Sequence, residues 1–193
     1  MKNYVITRIV FQGRDSQKMY QDIKDWISVN RFPNQYGKNW LGNILYGSGL
    51  TVDPNDGQYK NNGETLEINN YEDEGLEIVE GTQNRPLVKM WYDIMKAKNY
   101  DVNLSYWAVN DENKIYEECS EYESIYHVEA YDPNGLEISD DYWESELNTL
   151  IKDLSRDYDI AYEDDESFVR EMNKIVDRFE LIKYKRIKPE DQD

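Results

Sequence analysis

Apolar and polar residues change their period several times along the chain, and each change marks an element. Tyr4 to Phe11 reads as a buried strand, and Ser16 then caps a helix whose apolar residues Met19, Ile23, Trp26 and Ile27 fall at i, i+4, i+7 and i+8. From Asn30 to Gly63 the pattern fades into Gly and Asn with two prolines. Only the apolar island Trp40 to Tyr46 predicts structure there, one helical turn within a long loop.

The middle of the chain contains an internal echo. Tyr71-Glu-Asp-Glu-Gly75-Leu-Glu-Ile78 and Tyr131-Asp-Pro-Asn-Gly135-Leu-Glu-Ile138 share Y-x-x-x-G-L-E-I at an offset of 60 residues. After the first copy, a helix starting at Pro86 carries Leu87, Trp91, Ile94 and Met95 on one face, and a strand runs from Tyr100 to Val109. After the second, a helix capped near Asp140 or Asp141 carries Trp143, Leu147, Leu150, Ile151 and Leu154, and a strand follows from Tyr158 to Tyr162. A last helix carries Phe168, Met172, Ile175, Val176 and Phe179, and the chain closes on a basic strand, Glu180 to Lys188.

Two strand-helix-strand halves in tandem predict an α+β fold with ferredoxin-like β-α-β repeats: a mainly antiparallel sheet with helices on one face. The expected regions are 1–63, an N-terminal strand, helix and Gly/Asn-rich loop; 64–165, a ferredoxin-like core with an acidic surface; and 166–193, a C-terminal helix and basic strand packed on that core.

Charge changes the picture. The formal net charge is −18, and the stretch Ile115 to Ile151 holds eleven Asp or Glu and no Lys or Arg. Aromatic residues are interleaved with these acids, which argues for a folded acidic surface instead of a disordered tail. Such a balance argues against direct binding of DNA or RNA, whose affinity comes from Lys and Arg, and points to a basic partner, a cation or solubility. One cysteine, Cys119, excludes an internal disulfide, and with a single histidine, His127, it argues against a zinc site. Arg8 interrupts the apolar start, so a strand is expected there instead of a signal peptide, with residence in the cytoplasm of a bacterial host cell.

The segments NWLGNILYGSGL (Asn39 to Leu50), GETLEI, and GTQNRPLVKMWYDIMKAKNYDVNLSYWA carry a resemblance. Together they resemble a ferredoxin-like family of unknown function that occurs in phages and mobile elements of Gram-positive bacteria. The likeness covers roughly residues 36 to 165, and Asn39-Trp40-Leu41-Gly42-Asn43 is its most specific string. It implies the fold and a mobile-element setting, and brings no catalytic residue with it.

If Ile115 to Tyr131 is extended, with a bend at Ser120 or Ser124, its odd positions form an acidic face that includes Glu117, Glu121, Glu123 and Glu129, with Glu118 on the other face. Residues two apart on a strand lie about 6.6–6.8 Å apart, comparable with the phosphate spacing of a nucleic-acid strand. Asp132, Glu137, Asp140, Asp141, Glu144 and Glu146 extend the row, and Glu163, Asp164 and Asp165, with Glu166, add a second cluster. This pattern leads to the expectation of a non-enzymatic inhibitor of a host defence nuclease. In its sharpest form it is an anti-CRISPR protein that mimics nucleic acid and binds a Cas9-type effector with or without guide RNA. The alternatives are a solvated surface on a plain interaction module, or a metal-dependent nuclease or nuclease-activating factor. For the latter, Glu117, Glu118, Glu121, Asp140, Asp141, Asp164 and Asp165 are the candidates. No D-x-D or E-x-K pattern with basic neighbours supports the metal site, so no metal or cofactor is expected.

Other motifs have plainer readings. Asp53 to Glu64 misses the order of a calcium loop, and Gly47-Ser48-Gly49 lacks the lysine of a phosphate loop. Acidic neighbours disfavour a Cys119 thiolate and favour a charged His127. The basic tail, Lys183, Lys185, Arg186 and Lys188, is expected to pair with the protein's own acids.

Overall fold

The computed structural model describes residues 4–28, 37, 39–50, 63–71, 75–83, 85–110, 115–119 and 123–187. The chain divides into two compact units: residues 1–119 with 187–193, and residues 120–186. Residues 64–165, grouped together by the sequence pattern, are therefore shared between the two.

The first unit begins with β1 (Tyr4–Gln12), whose alternation buries Val5, Thr7, Ile9 and Phe11 and leaves Arg8 exposed. Helices α1 (Ser16–Ser28) and α2 (Leu41–Gly47) follow, then the hairpin β2 (Gly63–Tyr71) and β3 (Gly75–Gln83), α3 (Val88–Lys98), β4 (Asn103–Asn110) and β5 (Ile115–Cys119). The strands lie in the order β2-β3-β1-β4-β5 with antiparallel pairing, and the two-residue β9 (Lys185–Arg186) is the sixth strand of this sheet. Ile9, Phe11, Leu76 and Ile78 pack with Met19, Ile23, Ile44, Trp91 and Ile94 of the helices in one core. Phe11 meets the fully buried Trp91 edge-on at 5.4 Å, and burying a side chain of that size contributes about 2–3 kcal/mol. The island Trp40–Tyr46 forms a seven-residue helix, longer than the single turn its sequence predicts; Leu41, Ile44 and Leu45 enter the core. Helix α3 ends at Asn99, which adopts a left-handed conformation (φ 52°) that asparagine tolerates.

The second unit holds β6 (Ile125–Asp132), β7 (Leu136–Trp143), α4 (Glu144–Tyr158), α5 (Asp165–Met172) and β8 (Arg178–Lys183). Its sheet has the order β7-β6-β8, antiparallel throughout. Val128 and Ala130 of β6 join Leu147, Ile151 and Leu154 of α4, Phe168 and Met172 of α5, and Phe179 of β8 in a second core.

The two copies of the echo both encode a hairpin turn. Tyr71 ends β2 and Gly75 opens β3; Tyr131 lies at the end of β6, and Gly135 precedes β7. Gly75 and Gly135 adopt φ values of +121° and +126°, and a Cβ at Gly75 would lie 2.4 Å from the Phe11 carbonyl oxygen. In each unit the hairpin is followed by a helix, but the likeness ends there: β4 follows α3, whereas α5 follows α4. The fold is mixed α+β with antiparallel-dominated sheets. A ferredoxin-like arrangement is not confirmed, because the strands divide between a six-stranded and a three-stranded sheet.

Four local expectations are corrected. Asp140 and Asp141 do not cap a helix; they lie in β7, whose pairing with β6 continues to Trp143 opposite Ile125. Tyr158–Tyr162 is not a strand, because Asp159 (φ 55°) closes α4 and α5 begins at Asp165, leaving only a short connection. The last helix stops at Met172: the Asn173 side chain accepts from the Phe179 N–H (2.8 Å) and donates to its carbonyl (2.7 Å), turning the chain into β8. The basic strand is split in two, with Tyr184 between β8 and β9. No helix among the described residues is long and apolar enough to cross a membrane.

Candidate functional site

The expected row of carboxylates does not form one strand face. Glu117 and Glu118 belong to β5 of the first unit, Glu123 and Glu129 belong to the second, and Glu121 lies outside the described residues. Glu118 is fully buried, so its carboxylate presents nothing to solvent; Glu117 is half-buried. On the nominal acidic face of β6, Ile125 and His127 are buried.

Several other candidates have their charge engaged locally. Glu129 lies 2.8 Å from the Arg178 guanidinium, which also contacts Glu180 at 3.0 Å. Asp141 meets His127 Nδ1 at 2.9 Å and accepts the Tyr184 hydroxyl at 3.0 Å. Asp132 accepts from the Asn134 N–H (3.1 Å) inside the hairpin turn, and Asp140 accepts from the Asp141 N–H (2.8 Å). Glu137 is exposed on β7. Two acids hold the start of α4: Glu123 accepts the Ser145 N–H at 2.8 Å, and Glu146 accepts the Trp143 N–H at 3.1 Å. The hydrogen bonds from Ser145 hold the Glu123 carboxyl below its usual range.

What the fold does bring together is a cleft of about 640 Å³ in the second unit. It is lined by Tyr126 of β6, by Glu144, Leu147 and Ile151 of α4, and by Glu163, Asp164, Asp165 and Glu166 in the segment that opens α5. No Lys or Arg lines it. Asp164 caps α5, accepting the Ser167 N–H at 2.7 Å, and that hydrogen bond holds its carboxyl below the usual range. Asp165 accepts the Tyr162 hydroxyl at 2.7 Å, which pushes the Tyr162 phenol up to about 12, and the Tyr162 ring meets Phe168 edge-on at 5.7 Å. Glu163 and Glu166 make no side-chain hydrogen bond or ion pair among the described residues, whereas the Glu144 carboxylate acts electrostatically on Lys183. Lys183 lies 5.2 Å over the Tyr126 ring and is held protonated first by its hydrogen bond to Tyr126.

This lining of carboxylates with two tyrosines suits a cationic group: the tyrosines offer aromatic contact, and Glu163 and Glu166 offer carboxylates for the charge. Of the predicted acids the cleft unites Glu144, Glu163, Asp164 and Asp165. Sequence reading missed Tyr126, Tyr162, Leu147 and Ile151 as its lining, since the last two were read purely as core. Among the described residues no group of three or more His, Cys, Asp or Glu side chains is gathered for a metal ion. Compared with protein-family models, with curated proteins and with solved structures, the chain matches none of them.

Proposed function

We propose that the protein works by binding: its acidic second unit takes the place of nucleic acid against a basic, nucleic-acid-handling protein and excludes the substrate. The observation that carries this reading is the cleft, lined by five carboxylates and no Lys or Arg. Nineteen Asp or Glu against eight Lys or Arg give residues 120–186 a net −11 of the chain's −18. That field steers a cationic partner and makes its capture fast and salt-sensitive. The resemblance to mobile-element proteins makes a host defence nuclease the target class. A Cas9-type effector, whose heteroduplex channel is strongly positive, is the sharpest version.

The test is a DNA-cleavage assay on a purified Cas9-type effector, with the protein added before guide RNA, after guide RNA, or after DNA. Loss of cleavage in one of these orders supports the reading and locates the blocked step. Full cleavage in every order at low salt overturns the Cas9 version.

A further inference from the structure

Outside the cleft, one carboxylate of the first unit stands in an environment made for a neutral acid. We propose that Glu80 is a protonation-controlled latch between the central strands and α3: the neutral acid ties them together, and its ionisation loosens the start of that helix. Strand register puts Glu80 on the core face of β3, in step with Leu76 and Ile78. It is fully buried, and both carboxyl oxygens are committed to α3: one accepts the Leu87 N–H at 3.3 Å and the other the Trp91 indole N–H at 2.9 Å.

Its direct cross-strand partners are Thr7 on β1 and Thr65 on β2. Both are buried and neither hydroxyl has a hydrogen-bond partner. Side chains directly opposite each other in a sheet have Cβ atoms about 4.5–5.5 Å apart, so two neutral hydroxyls, neither bonded to it, flank Glu80 across the strands, and no cation does. An ionised Glu80 would instead be a buried charge with neutral donors and no cation. From the elements packed around it come Thr7, Thr65, Leu87, Val88 and Trp91. The buried parts of α1 and α2 contribute no charged side chain, and the basic residues of the adjoining segment, Arg85 and Lys89, are exposed. Consistent with this geometry, burial pushes the Glu80 carboxyl up to about 7, outweighing the downward pull of Trp91 and Leu87.

In the unfolded chain the same carboxyl ionises near its ordinary value of 4.5. The contribution of neutral Glu80 to stability is therefore complete below that value, falls as pH rises through about 7, and levels off above. The experiment is a carboxyl ¹³C NMR titration of the full chain, with the resonance assigned through bonds from the Glu80 backbone, so that the reading needs no variant. We expect a midpoint near 7, with the Trp91 indole proton and the first α3 amides exchanging faster above it. Trp91→Phe should move the midpoint further up. In parallel, the ratio of wild-type to Glu80→Gln unfolding constants should rise on the order of 100-fold between about pH 5 and about pH 8.5. A midpoint in the ordinary carboxylate range, or a ratio that does not change with pH, would overturn the proposal.

Discussion

The two units use the same side chain in opposite ways. In the first, Glu80 and Glu118 lie in the core, and Glu77, largely buried, is tied to Asn69, Tyr71 and Arg8. In the second, acids stand at helix starts and around an open cleft. Desolvation raises the Glu80 carboxyl, whereas hydrogen bonds from Ser145 and Ser167 lower Glu123 and Asp164. Burial without a cation favours the neutral acid, and donors at a helix start favour the anion. Net charge alone hides this difference: the second unit gathers carboxylates around a cleft of a size that takes a ligand group.

The largest effect should come from reversing the cleft charge: Glu144→Lys, Glu163→Lys and Glu166→Lys together should weaken partner capture roughly 1000-fold, and each single Gln change about tenfold, in a binding titration. Circular dichroism should report an unchanged fold. A second effect of opposite sign in the two units follows from the carboxyl shifts. Acidifying from about pH 8 to about pH 5 should increase hydrogen-exchange protection in α3 as Glu80 takes up its proton. The contributions of Glu123 and Asp164 are present above their ordinary values of 4.5 and 3.8. They are lost only as pH falls through their lowered folded values, so protection at the starts of α4 and α5 should decline in that acid range.

Smaller changes sharpen the local account. Asp164→Ala removes the cap of α5 and should lower the denaturation midpoint of the full chain, with Asp164→Asn retaining most of the stability. Arg178→Ala releases Glu129 and Glu180 from a half-exposed ion pair, so its stability cost should be under about 1 kcal/mol. Its increase in negative charge should slightly speed partner capture.

Elements with a strong single period were legible in the sequence. β1, α1 and α3 lie where their apolar spacing puts them, and α4 does so from Leu147 onward, because burial of one face decides both the element and its orientation. The echo was legible as a repeat but not as a hairpin, since the turn depends on a positive φ at Gly75 and Gly135 that spacing alone does not reveal. Asp140 and Asp141 resemble a helix cap locally; pairing with β6 overrides that propensity. The acidic stretch was legible as charge but not as shape: the chain passes from one unit to the other within it, and β5 and β6 belong to different sheets. The cleft was hidden because Glu144 and Glu163 are brought together by α4 folding back along the sheet, over a separation that carries no local signal. Glu80 did leave a signal, an acid in step with Leu76 and Ile78, which strand alternation assigns to the core.

We propose capture of a basic partner by the cleft of the second unit. The most direct test is to measure binding of the full chain to a purified Cas9-type effector across a salt series, beside the Glu144→Lys, Glu163→Lys, Glu166→Lys variant. Tight binding at low salt that weakens steeply as the Debye length shrinks, and roughly 1000-fold weaker binding by the variant, are expected. Equal binding by both proteins, or no binding by either at low salt, would contradict it.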